Sequence, residues 1–193
     1  APHSMSLERH RLIWLYLRDK TSFFTEPQKV LHIAPEYCFL KIFKKQRNLD
    51  YVTADLISPW ADVKMDVQAI PFPDSHFDVV ICNHVLEHVE SDLKAMQEIH
   101  RVLKPGGFAI LQVPMDLNME KTLEDSAINT PELREKHYQQ RDHLRLYGKD
   151  YGARLRSAGF EVDENDYVKT LPVNLVERYA LPKDEILYVC RKS

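Results

Sequence analysis

Hydrophobic and polar positions along this chain switch repeatedly between two periods. "LERHRLIWLYLRDK" has an apolar side at Leu7, Trp14, Leu15 and Tyr16, which predicts an N-terminal helix capped by Ser6. Thr21 to Gln28 holds Pro27 and reads as a linker. Short apolar runs then alternate with helical patterns. "KVLHI" predicts a first strand and "FLKIFKKQ" a helix; "DYVTADL" predicts a second strand ending at Asp55, and "ADVKMDV" a short third. "FDVVICN" is apolar and β-branched, as a strand covered on both faces should be. "SDLKAMQEIHRVL" predicts a helix capped by Ser91, with Leu93, Met96, Ile99 and Leu103 inward and Pro105-Gly106-Gly107 as its stop. "FAILQVP" is a fifth strand.

Met115 to Arg141 is polar, with a helix expected over Pro131 to Gln139. "KDYGARLRSAGF" predicts a helix with Tyr151, Leu155 and Ala158 inward. "FEVDENDY" and "DEILYVCRK" predict closing strands, with a short helix near Val173 to Arg178 between them. Strands alternating with helices imply an α/β fold of three layers around a mostly parallel sheet. Ligands of such sheets bind outside the carboxyl ends of the strands. That rule selects His32 to Glu36, Asp55, Asp66 and Asn83 to His88.

Composition narrows the partners. The chain has 193 residues, 44% hydrophobic, with a net charge of −3, so one soluble domain is expected and a polyanion such as nucleic acid is not. No apolar run is long enough for a membrane span, and no secretory signal is visible. "APHSM" (residues 1–5) reads as a vector remnant, leaving 6–193 as a single domain with 6–28 as N-terminal helix and linker. Cys38, Cys82 and Cys190 are odd in number and lie in apolar surroundings, so they read as reduced thiols of a cytoplasmic protein. All five glycines lie at position 106 or beyond. The turn after the first strand, Ala34-Pro35-Glu36-Tyr37-Cys38, therefore lacks the glycines that let a backbone approach a nucleotide.

"AIPFPDSHFDVVICNHVLEHV" followed by "RVLKPGGFAILQVP" is similar to the middle of class I S-adenosylmethionine (SAM)-dependent methyltransferases. "LRSAGFEV" and "EILYVCRK" resemble their last helix and strands. A subgroup with "LHIAPE" in place of the glycine-rich first motif, "SLERHR" near the start and "DHLRLYG" late is closer still. Some of its members carry a Cys-rich stretch before "SLERHR", and its absence implies missing upstream residues. The resemblance implies a Rossmann-like methyltransferase fold, a seven-stranded sheet with an antiparallel last strand, SAM as cofactor and S-adenosylhomocysteine as product.

Carried across by position, the resemblance places His32, Ala34 and Glu36 at the amino-acid end of SAM and Asp55 with Leu56 at the ribose. Asp66 and Val67 fall at the adenine, and Asn83 and His84 beside the sulfonium. Glu36 would supply a negative charge to the ammonium that His32, standing where an acid is usual, does not. Arg9, His10 and Arg11 read as a solvated helix face, or one arginine grips the SAM carboxylate. His143 and His84 are the candidate general bases, and His88, Arg145 and Tyr147 line an acceptor pocket under a lid spanning 115–146.

The function these residues imply is methyl transfer to a small molecule, with no metal needed because the sulfonium already activates the methyl group. The alternative is a non-catalytic protein of the same fold that binds SAM or another nucleotide. A more distant one is a zinc hydrolase, since His84, Glu87 and His88 spell H-x-x-E-H. That signature requires a long helix, whereas here the motif follows a strand directly.

Overall fold

The computed structural model describes residues 5–193, so the first four residues of the expected vector remnant lie outside the described part. Seven strands form one sheet in the order β3-β2-β1-β4-β5-β7-β6. The parallel strands are β1 (Gln28–Ile33), β2 (Leu49–Asp55), β3 (Val63–Lys64), β4 (Phe77–Asn83) and β5 (Leu103–Gln112). β7 (Leu187–Arg191) inserts antiparallel between β5 and β6 (Glu161–Asn165). This is the mostly parallel, seven-stranded sheet with an antiparallel last strand that the sequence predicts. Strand order reverses between β1 and β4, and the crevice beyond their carboxyl ends is the expected ligand position.

β4 shows why its sequence is apolar without interruption. Val79 and Ile81 join Val30, Ile110 and Val189 on one face, under α1 (Glu8–Lys20) and α2 (Tyr37–Phe43). Val80 and Cys82 join Leu31, Ala109 and Leu111 on the other, under α3 (Asp92–Val102) and α5 (Tyr151–Ser157). All four central residues of the strand are fully buried. Each buried Val or Ile side chain contributes about 2 kcal/mol by leaving water. Cys38, Cys82 and Cys190 are all unpaired and buried in these two layers. Burial pushes their thiols up, Cys38 to about 11 with help from the Glu36 carboxylate, so they stay protonated and inert.

Several elements differ from the sequence expectation. α1 begins at Glu8 after an N-cap at Leu7, not at Ser6, because the His10 ring accepts the Leu7 N–H through Nδ1 at 3.1 Å. In α3, Ser91 caps as expected by accepting the Lys94 N–H, but Leu93 is exposed and Ala95 and Val102 take the inner face. β3 keeps only two residues of "ADVKMDV". Pro105-Gly106-Gly107 lies inside β5, where Gly106 at φ +79° makes an irregular turn paired with Lys192. "FEVDENDY" breaks after Asn165 into α6 (Tyr167–Thr170), whose Tyr167 and Val168 plug the α1 side of the core. α4 (Pro131–Tyr138) and α7 (Val173–Arg178) lie where helices are expected.

The expected lid is a packed insertion. Leu123 and Leu146 exchange backbone hydrogen bonds at 2.9 and 3.0 Å, and Met115 bridges to Tyr147. Tyr138 is fully buried, and its hydroxyl accepts the Asp125 N–H at 2.9 Å. Among the described residues no helix is long and apolar enough to cross a membrane.

Candidate functional site

The glycine-free turn after β1 closes around a carboxylate. Ala34, at the first glycine position of the usual motif, takes φ +48°. Glu36 has an extended backbone at φ −73°, and Cys38 lies inside α2. Only one of the three positions therefore needs left-handed backbone, and it is filled by the smallest chiral residue. Left-handed backbone costs a non-glycine residue about 1 kcal/mol. Ala34→Gly is therefore expected to leave stability unchanged or raise it by about 0.5 kcal/mol, as read by urea denaturation, although glycine usually destabilises ordered structure.

The Glu36 side chain turns inward and is 17% exposed. Its Oε2 accepts from His32 Nε2 at 2.7 Å, and its Oε1 accepts from Asn83 Nδ2 at 3.0 Å. His10 Nε2 lies 3.4 Å from the same Oε1. His10 accepts the Leu7 N–H on Nδ1, which leaves its Nε2 as the N–H side of the ring. His32 Nδ1 in turn pairs with the Tyr51 hydroxyl at 2.7 Å. Burial alone would raise the Glu36 carboxyl, but the His10 and His32 rings beside it win and hold it well below the usual carboxylate range. His10, read from the sequence as part of a solvated face, is thus a buried partner of the first motif. Its only sequence signal is the helix register, which places it on the inner side with Ile13 and Leu17.

Asp55 ends β2 with its Oδ1 accepting the Ile57 and Ser58 N–H groups at 2.8 and 2.7 Å. This turn, with no helix, connects β2 to β3. It also leaves Leu56, Ile57 and Trp60 exposed at 56, 86 and 76%. Three exposed apolar side chains next to a carboxylate suit a nucleoside, which has a flat apolar base and a diol. Asp66 is exposed and accepts the Gln68 N–H at 2.8 Å, while Val67 is buried with its backbone at the turn.

Beyond β4 and β5 lies a cavity of about 320 Å³, whose lining includes Arg9, His84, Gln112, Met115, Glu185 and Tyr188. His84 holds φ +54°, fixed by its N–H donating to the Gln112 carbonyl at 2.7 Å. A bulky residue in left-handed backbone is strained, and such strain concentrates where a side chain must be aimed. The Gln112 side chain spans to the next strand by donating to the Ile186 carbonyl at 2.9 Å and accepting the Tyr188 N–H at 2.7 Å. Burial raises the Glu185 carboxyl above its ordinary range in spite of Gln112 beside it. Arg9 Nε and Asn83 Oδ1 are buried without a hydrogen-bond partner among the described residues. Arg11, in contrast, is engaged by the Tyr179 and Ser6 carbonyls at 2.5 and 2.9 Å. Sequence reading gives no signal for Gln112 or Glu185, which look like strand ends.

The "DHLRLYG" segment corrects the acceptor-pocket expectation. Its His143, Arg145 and Tyr147 point into the protein, and only Asp142 faces solvent. Arg145 is 1% exposed and donates to the Leu86, Val89 and Glu90 carbonyls at 2.6, 2.7 and 2.9 Å. Tyr147 is fully buried and donates to Asp92 at 3.0 Å. These side chains hold the loop after β4 and do not line the cavity. His143 is also buried away from it, and burial lowers its affinity for a proton. His88 is exposed and packs edge-on against His143, with ring centres 4.8 Å apart. The H-x-x-E-H residues lie on turns after β4 and not on a helix, which removes the frame that an inverted zinc peptidase needs. Of the expected site, the structure brings together Ala34, Glu36, His32, Asn83 and His84 at adjacent strand ends, with Asp55 and Asp66 farther along the same edge.

Residues 22–111 match a family model described as a methyltransferase domain. A ubiquinone/menaquinone biosynthesis C-methyltransferase, UbiE, of Coxiella burnetii is 39% identical over 49 residues, 25% of this chain and 20% of that protein. UbiE of Shewanella oneidensis is 38% identical over 52 residues, 27% of this chain and 21% of that protein. The match thus spans about a fifth of the curated relatives. Among solved structures, an S-adenosylmethionine-dependent methyltransferase from Mesorhizobium loti aligns over 93% of this chain and 97% of its own, with TM-score 0.57 and 14% identity. The [4+2]-cyclase SpnF aligns over 94% of this chain and 80% of its own, with TM-score 0.62 and 18% identity.

Proposed function

We propose SAM-dependent methyl transfer to a small polar acceptor, supported by the match of residues 22–111 to a methyltransferase-domain model and by a fold shared with a SAM-dependent methyltransferase along the length of the chain. The observation that carries this reading is the pair of unsatisfied buried groups, Asn83 Oδ1 and Arg9 Nε, at the crevice where strand order reverses. Buried polar groups without partners are costly, and a ligand with both an ammonium and a carboxylate would complete them. SAM fits these residues and, when bound, supplies a methyl group already activated by its positive sulfur.

The chain's own residues then bind, orient and exclude water. Asp55 has its second oxygen available to a ribose diol, and Leu56 and Trp60 give apolar cover to the adenine. Asp66 and the Val67 backbone serve the base edge. Glu36 supplies the negative field at the ammonium while Asn83 bridges it to the cavity. His84 stands in the cavity wall, where its imidazole can take the proton that an oxygen or nitrogen acceptor must lose. Glu87 Oε1 lies 3.4 Å from His84 Nδ1, placed to orient that ring. Arg9, Glu8, Asp184 and Glu185 give the cavity a charged lining, which suits a polar acceptor better than a greasy one.

SAM and S-adenosylhomocysteine are each expected to raise the melting temperature, with about 2.7 kcal/mol of stabilisation at a hundredfold excess over Kd. If neither does, the reading fails. His84→Gln is expected to keep that shift while kcat, followed as S-adenosylhomocysteine release, falls about 10²- to 10⁴-fold. The second reading, binding without catalysis, draws on the glycine-free turn and on SpnF, whose name shows that this architecture also serves a cyclase. Ligand-induced stabilisation without turnover on any acceptor, in both the wild type and His84→Gln, would favour it.

A further inference from the structure

Behind the cavity wall, two stretches of chain bring Glu87, His88 and His143 together, and the transferase reading uses Glu87 only to orient His84 and gives His88 and His143 no role. One ligand-type atom from each lies within 4.8 Å of the others. The Glu87 residue is fully buried, yet neither carboxylate oxygen has a hydrogen-bond partner among the described residues. A carboxylate in that position costs several kcal/mol unless something positive completes it. His84 Nδ1 approaches Oε1 at 3.4 Å without forming a hydrogen bond, and the surrounding arginines do not meet this need. Arg145 is committed to backbone carbonyls and Glu124, and Arg154 grips Asp92 at 2.7 Å.

Both imidazoles are prepared in the same way. His143 Nδ1 is 3.0 Å from the Tyr138 carbonyl, which can only accept, so Nδ1 carries the proton and Nε2 is left with a bare lone pair. His88 Nδ1 is 3.2 Å from Asp142 Oδ2, and its Nε2 faces Glu87 Oε1 at 3.9 Å. A ring nitrogen donating to an oxygen, with the other nitrogen turned toward a carboxylate, is the arrangement that supports metal-ligating histidines. The two stretches are also held in register. The Leu144 N–H donates to the Glu87 carbonyl at 2.7 Å, and Arg145 clamps the carbonyls on either side of it. Access exists because His88 is exposed.

We propose that Glu87, His88 and His143 form a binding site for a divalent first-row transition ion, with zinc as the representative. One carboxylate and two imidazoles match that class of ion and exclude calcium or magnesium as the preferred guests. Ligands of a tetrahedral zinc lie about 3.3 Å apart, so the three side chains close by up to about 1.5 Å on binding, leaving a fourth position open. The set differs from the H-x-x-E-H reading, since His84 is not a ligand and His143 comes from a distant segment. The inference is independent of methyl transfer, because the ion's presence requires neither SAM nor an acceptor.

The test uses the full chain without a histidine tag, stripped with chelator and dialysed against dilute Zn²⁺ or Co²⁺. Elemental analysis should find one ion per chain, and Co²⁺ should give visible d–d absorption of a low-coordinate nitrogen–oxygen site. His88→Gln lies at the surface and should fold as the wild type does by circular dichroism while losing at least tenfold in affinity. His143→Gln and Glu87→Gln should lose stoichiometric binding. Chelator should lower the wild-type melting temperature and leave that of His88→Gln unchanged. Absence of stoichiometric metal in the wild type overturns the proposal. So does binding that survives both histidine substitutions, or that is lost on His84→Gln and retained in His143→Gln.

Discussion

Glu36→Gln is expected to lose about 3 kcal/mol of stability, and with it most of the affinity for SAM. The carboxylate has only acceptor atoms, and donors from His32, Asn83 and His10 converge on it. An amide keeps the shape but presents an NH2 group to one of those donors, so at least one buried N–H loses its partner. Hydrogen bonds to a charged group contribute about 1.5–3 kcal/mol each, and an unmatched buried donor adds its own penalty. For a chain of this size, a loss of about 3 kcal/mol lowers Tm by about 8 °C.

The pH dependence has a defined sign. The Glu36 carboxyl is held below its ordinary range in the folded protein, so its contribution is complete above the pKa of the unfolded glutamate. The stability gap between wild type and Glu36→Gln should therefore be constant near neutrality and shrink as the pH falls below about 4. Paired urea melts at pH 7 and at pH 3.5, with SAM calorimetry at pH 7, test both parts. A variant that melts with the wild type and binds SAM equally well would show that the cluster is an ordinary solvated surface group.

Arg145→Met is expected to have the larger effect, about 4 kcal/mol, without touching the cavity. The guanidinium fastens the Leu86, Val89 and Glu90 carbonyls and Glu124, all at 2.6–2.9 Å through its two terminal nitrogens. Methionine fills the volume and leaves the carbonyls buried and unpaired, and breaking a buried charged network at one partner costs about 3–5 kcal/mol. Arg145→Lys should recover little, because one ammonium cannot reproduce the planar fork that reaches three carbonyls and a carboxylate. Denaturation midpoints of the two variants decide this. A lysine variant as stable as the wild type would show that charge alone is needed there.

The periodicity of the sequence carries most of the sheet. β4 is legible because both of its faces are buried, so no polar position interrupts it. Strand ends are legible for the same reason: Asp55 and Asn83 are where apolar runs stop, and both fall at the crevice. What the sequence hides is the direction of polar side chains in irregular segments. In "DHLRLYG" the alternation is real, but the polar face turns inward because the carbonyls of residues 86–90 have no helix or strand to satisfy them. His10 is obscured differently. It lies among arginines on α1, and beyond the helix register it is its contact with a turn 26 residues later that distinguishes it from them. The meaning of the missing glycines is likewise tertiary, since a single position, Ala34, needs the unusual backbone.

The tie between Arg145 and Leu86 crosses 59 positions of chain. During synthesis, a chain that has emerged only through Gln112 already has its five parallel strands and the turn carrying Glu36, but not the residues that shape the loop after β4. A nascent chain therefore carries all five parallel strands before it carries Arg145 or the residues around 182–188 that complete the cavity lining. The loop after β4 and the far side of the cavity are both completed by the C-terminal part of the chain, after the parallel strands have been made.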